Sequence, residues 1–228
     1  MIKGMILNET AETVQIITFS SSNIKTGDMA QVWILNRDID PVTALKNGDS
    51  KKICFDCPHL ENSTCYVNVG QAPAQVYKAY KKGLYAPLDL DLLKAMIKWK
   101  AVRFGAYGEP VLIPLYLVEF IAKNSRGYTG YTHQWQKLEY IDYAPYFMAS
   151  TETIEEGYKA SQMGFRSFRV AKTEDTSMSL KEIKCPNIDQ GVQCRDCQLC
   201  NGQSNGKNIV VPVHGTTAKV NKFNLINL

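Results

Sequence analysis

Apolar and polar positions along the chain sort into two alternating patterns. Runs of β-branched and aromatic residues at 13–18, 31–35, 101–105, 128–132, 146–149, 167–170 and 209–213 read as strands. Between them the apolar spacing turns helical. Residues 74–83 begin after Pro73, a good first-turn residue, and end at Gly83; residues 90–100 have Asp89 as a cap; Pro114 opens a stretch to Lys123. Thr153 with Glu156 forms a capping box for a helix through Met163, closed by Gly164. Strands alternating with helices pair in parallel through right-handed crossovers. The pattern therefore predicts an α/β fold, a partial (β/α)6 barrel of mostly parallel strands with a C-terminal cysteine-rich metal module. Residues 1–184 would hold the barrel and an N-terminal extension, and 185–228 the cysteine-rich module plus the last strand, in one continuous domain.

In such a fold, function gathers on the loops after the strands. A three-cysteine loop follows the first barrel strand, Gly108-Glu109-Pro110 the second, His133-Gln134-Trp135 the third, Ser150-Thr151-Glu152 the fourth, Arg169 and Lys172 the fifth, and His214-Gly215 the sixth. Glu109 at the sheet rim would accept hydrogen bonds from a bound ammonium group. The competing reading is a turn whose glycine suits a positive φ and whose proline starts a helix. His133 at a strand end suits a metal ligand, a proton donor or a substrate contact. Ser150 would touch a ligand or cap the next helix, and Arg169 would bind a carboxylate or phosphate.

The seven cysteines change the picture most. Cys54, Cys57 and Cys65 form C-x2-C-x7-C, and Cys185, Cys194, Cys197 and Cys200 form a complete set of four. An odd count, an N-terminal stretch unlike a signal peptide, and a length able to bury a core without staples argue against disulfides and for metal. Thiolates select zinc or iron-sulfur clusters. Three of them would leave one iron of a 4Fe-4S cluster open, or His59 or a cysteine from the second set would close a zinc site. The C-terminal spacing leans towards a second 4Fe-4S cluster. The expected compartment is the reducing cytoplasm.

Composition adds little else. A hydrophobic content of 45% with 21% charged residues is ordinary for a globular chain. A net charge of +4 on dispersed lysines permits nucleic-acid contact without arguing for it. Nothing in the sequence predicts a membrane span. The tyrosines around 128–146 suit core packing better than base stacking.

The cysteine loop and the Gly-Glu-Pro motif resemble those of the radical S-adenosylmethionine enzymes. That resemblance implies cluster ligands at Cys54, Cys57 and Cys65 and S-adenosylmethionine contacts at Gly108, Glu109 and Pro110, oriented also by Ser150 and Arg169. It further implies an auxiliary cluster at Cys185, Cys194, Cys197 and Cys200. The chain departs from the family pattern in its cysteine spacing and in having Tyr107-Gly108 before the glutamate. Segments such as Arg103-Phe-Gly-Ala-Tyr-Gly-Glu-Pro110 and Gly130-Tyr-Thr-His-Gln-Trp135 also look like an uncharacterised family of bacteriophage-encoded proteins, which implies the host cell cytoplasm. The first functional expectation is an iron-sulfur radical enzyme on an unknown substrate, with His133 and Glu109 as catalytic candidates. The second is a non-enzymatic, zinc-stabilised phage protein that binds nucleic acid or a host protein.

Overall fold

The computed structural model describes residues 2–179, 181–203 and 205–226; the expected segment bounds at residues 1 and 228 lie outside these. The chain opens on an antiparallel meander, β1 (Gly4–Glu9), β2 (Thr13–Thr18) and β3 (Ala30–Asn36). The 13–18 strand falls where the apolar run places it. β1 went unread in the sequence, because its six residues end in Asn8-Glu9 and merge with the polar turn that follows. Every residue of β3 is buried, as expected of an interior strand covered on both faces.

Three helices fill the connection after β3: α1 (Pro41–Asn47), capped by the Asp40 carboxylate, and the single turns α2 (Lys51–Cys54) and α3 (Pro58–Glu61). They are followed by α4 (Ala72–Lys81) and α5 (Leu90–Ile97), the latter capped by Asp89 as the sequence predicts. Strand β4 (Ala101–Tyr107) pairs in parallel with β3. After α6 (Leu115–Asn124) come β5 (Gly127–Thr129) and β6 (Tyr131–Thr132), divided by Gly130 alone. Then follow β7 (Met148–Thr151), α7 (Ile154–Gln162), β8 (Ser167–Ala171) and β9 (Glu182–Lys184). The chain continues through α8 (Pro186–Gln190), α9 (Cys194–Cys197), β10 (Asn208–Pro212) and α10 (Thr217–Leu225). The capping box on α7 forms with both of its hydrogen bonds.

Two five-stranded sheets result, ordered β1-β2-β3-β4-β5 and β6-β7-β8-β10-β9. The architecture is mixed: antiparallel at the start, parallel from β3 onward. The TIM-barrel-like reading is corrected here, since the strands fall into two five-stranded sheets. Gly130 explains the division. Its N–H leaves the β4 ladder to donate to the Cys200 carbonyl at 2.8 Å, while its own carbonyl accepts from Met148 N–H at 3.0 Å. One strand thus changes partner at a residue with no side chain.

The main core lies against the first sheet, with Ile16, Ile34, Phe104, Leu117, Ile121 and Phe147 fully buried. A smaller apolar cluster, including Trp135, Ala149, Ala160 and Phe165, fills the space between β7 and α7. Between them they fix the C-terminal ends of the parallel strands as a rigid rim. No helix among the described residues is long and apolar enough to cross a membrane.

Candidate metal centre

Three strand-end segments converge on one point at that rim. His59 comes from α3, beyond β3. The backbone N–H groups of Thr64 and Cys65 both donate to the His59 carbonyl, at 2.9 and 3.1 Å, curling the loop round the residue. The Thr64 hydroxyl lies 3.0 Å from His59 Nδ1. This contact aims Nε2 at Glu152 Oε1, 3.2 Å away. Glu152 directly follows β7, and its backbone N–H donates to Glu156 Oε2 at 2.7 Å, so the α7 capping box also holds this corner.

His133 follows β6. Its Nε2 lies 3.4 Å from the same Glu152 Oε1. The two imidazole rings meet edge to face with centroids 5.3 Å apart. Among the described residues, His59, His133 and Glu152 form the one group of His, Cys, Asp or Glu whose ligand atoms all lie within 4.8 Å of one another. Their side chains are only 14, 16 and 6% exposed.

Behind His133 stands Glu109. Its Oε2 accepts from the Thr132 hydroxyl at 2.7 Å, and its Oε1 accepts from the His133 N–H at 3.1 Å and lies 3.4 Å from His133 Nδ1. The Glu109 N–H in turn donates to the Ile53 carbonyl at 2.7 Å. Cys57 Sγ is 3.5 Å from the same Nδ1. A carboxylate on the outer nitrogen of an imidazole fixes the tautomer that leaves the inner nitrogen free for a metal. Gly108 is required one residue earlier: its φ is +79°, and a Cβ there would stand 2.7 Å from the Ile34 side chain.

Two buried atoms at the centre lack a hydrogen-bond partner, His133 Nε2 and Glu152 Oε1. Buried polar atoms are almost always satisfied, and here the pair face each other and His59 Nε2. Burial alone would favour the neutral imidazole at His133, yet Cys57, Glu109 and Glu152 outweigh it and hold its pKa well above the usual histidine value. Burial likewise works against the Glu152 charge, but the His133 and His59 imidazoles beside it bring its pKa down to about 2. Two imidazole nitrogens and a carboxylate oxygen are donors that zinc accepts, and these atoms lie within 4.8 Å of one another.

This donor set corrects the leading functional expectation. A radical S-adenosylmethionine enzyme needs three thiolates round an open iron of a 4Fe-4S cluster, whereas the ligand atoms that converge are nitrogen and carboxylate oxygen. The iron-sulfur mechanism and its enzyme assignment fall with it. Physically, the loop turns Cys57 to the outer face of the His133 ring. Cys54 and Cys65 lie close to Cys57, with burial chiefly pushing both thiols towards the protonated form.

The other expected residues divide by position. Pro110 starts a 3-10 turn, Pro110–Leu112, behind Glu109. Ser150 lies within β7, where its carbonyl accepts from Trp135 Nε1–H at 3.0 Å. Arg169 is 1% exposed and forks onto Glu182 at 2.8 and 3.1 Å, with Asp175 at 3.0 Å, well occupied within its own network. Cys185, Cys194, Cys197 and Cys200 are partly buried free thiols in the C-terminal module. His59 was legible as a ligand that could close a zinc site. Glu152 was legible only as the residue after a strand. Comparisons with family models, curated proteins and solved structures each return no match.

Proposed function

We propose that this chain is a metal-stabilised binding protein, holding one divalent ion of the zinc type through His59 Nε2, His133 Nε2 and Glu152 Oε1. The observation that carries the reading is the pair of orphaned buried atoms, His133 Nε2 and Glu152 Oε1, facing each other across 3.4 Å. An ion there would satisfy both and tie together three loops distant in sequence. Two histidines and a carboxylate also serve catalytic zinc, which keeps an open position for water. The surroundings favour a structural role. Phe223 of α10 is 2% exposed and stacks on the His59 ring with centroids 5.6 Å apart, closing that side of the centre.

The reading includes a partial (β/α)6 arrangement, supported by the parallel succession that resumes in β6 after the one-residue break at Gly130. It includes a phage origin and the host cytoplasm, supported by the sequence segments noted above and by seven free thiols. A protein partner suits it better than nucleic acid, because the net charge is only +4 and several surface cations are paired locally. Lys100 pairs with Asp28, Arg126 with Asp196, Lys137 with Asp56 and Lys81 with Asp38.

Zinc added to chelator-treated protein should bind at this site and raise Tm, and Glu152→Gln should show a clearly smaller rise while remaining folded. An equal Tm rise in wild type and in both Glu152→Gln and His133→Gln would overturn the assignment.

A further inference from the structure

Two buried arginines have no carboxylate partner among the described residues. Arg103 on β4 is 8% exposed and Arg166, just before β8, is 7% exposed. Arg103 donates to the Tyr66 hydroxyl. Arg166 donates to the carbonyls of Asn201, at 2.8 Å, and Lys207. In both, the Nε–H is buried and unpartnered. A buried guanidinium stays charged, and burying a charge without a counter-charge is strongly unfavourable. What stands beside them is the C-terminal cysteine module: the Asn201 carbonyl that Arg166 binds is next to Cys200, and Arg103 pairs in register with Thr129, one residue before Gly130, whose N–H donates to the Cys200 carbonyl.

The module is anchored at three of its four cysteines. Cys185 N–H donates to Val210 O at 2.9 Å, Cys194 N–H to Lys25 O at 3.2 Å, and Cys200 O accepts from Gly130 N–H at 2.8 Å. Cys194 and Cys197 bracket the single turn α9, after which Gln198 takes a left-handed conformation (φ 53°) and swings Cys200 back. Asn187 Nδ2, in the helix that Cys185 opens, and the Cys194 N–H donate to the same Lys25 carbonyl, at 3.0 and 3.2 Å, which brings the Cys185 and Cys194 turns together.

We propose that Cys185, Cys194, Cys197 and Cys200 form a second, thiolate-ligated centre for a soft divalent metal, and that Arg103 and Arg166 are buried to balance its charge. A divalent ion on four thiolates carries a net double negative charge, which two guanidinium groups neutralise. The sulfurs are more widely spaced than the ligand atoms of the His59 group, so the module closes as it takes its metal. This centre is independent of the imidazole site.

Cadmium is the probe, because its thiolate complexes absorb in the ultraviolet in proportion to the sulfurs bound. Metal-free, reduced, full-length protein should develop the sulfur-to-cadmium band, and bound cadmium should protect these four cysteines from alkylation, mapped by peptide mass spectrometry. Glu152→Gln should leave the protection intact, while Cys197→Ser should remove it. Arg103→Gln should weaken cadmium binding at least tenfold. Should Cys197→Ser fail to fold, the wild-type alkylation map decides by itself. Protection confined to Cys54, Cys57 and Cys65, or no thiolate band in folded protein, would overturn the proposal.

Discussion

Glu152 concentrates the electrostatics of the imidazole centre. Its folded pKa of about 2 lies below its ordinary value of 4.5, so the unfolded chain binds more protons between those values. The stability Glu152 contributes is then present above about pH 4.5 and lost as pH falls towards 2. His133 runs the other way. Its folded pKa lies well above the ordinary 6.5, so its contribution is full below 6.5 and lost as pH rises through the folded value. In metal-free protein the two contributions overlap between about pH 4.5 and 6.5. Denaturant unfolding across pH should show maximal stability there, and Glu152→Gln should flatten the acid side of the curve. Zinc should shift the maximum upward, since it replaces the proton between imidazole and carboxylate. A zinc-independent profile would contradict the ligand assignment.

At the scale of elements, the switch from β5 to β6 holds the site in register. Gly130 sits where a Cβ would meet the Phe147 ring at 2.8 Å and Phe104 Cβ at 3.1 Å. Both aromatics are fully buried and pack edge to face, 5.4 Å between centroids. Gly130→Ala should therefore destabilise the protein by about 1–3 kcal/mol, the usual cost of overpacking a tight core, read as a lower denaturant midpoint at unchanged slope. His133 follows β6 by one residue, so the same variant should weaken zinc binding although it removes no ligand. Wild-type stability with unchanged zinc affinity would show that the two strands tolerate displacement.

Over the whole molecule, net charge is mild. A formal net charge of +4 on a chain of 228 residues supplies little field for a polyanion. Any association with DNA or RNA should be weak, with a shallow fall of affinity as salt rises, corresponding to about one or two phosphate contacts. Fluorescence anisotropy with labelled single- and double-stranded oligonucleotides checks this. A steep salt slope would reverse the preference for a protein partner.

Many of the strands were written in the sequence. Interior strands buried on both faces read as continuous apolar runs, so residues 31–35 announce β3, whereas in β8 Phe168 and Val170 alternate with Ser167 and Arg169. Capping chemistry is equally local: Asp89 and Thr153 mark helix starts because the hydrogen bonds they accept lie within the same turn. Cysteine spacing pointed to metal, but it weighed residue types along the chain, and the ligand identity at the rim depends on which atoms point inward. Residues 59, 133 and 152 meet only after the two sheets pack so that the segments following β3, β6 and β7 come together. Thr64 then turns the His59 ring inward, and Glu109 fixes that of His133. Local pattern is enough to specify elements, whereas a coordination centre requires atoms from distant segments to agree to within an ångström, and only tertiary packing imposes that.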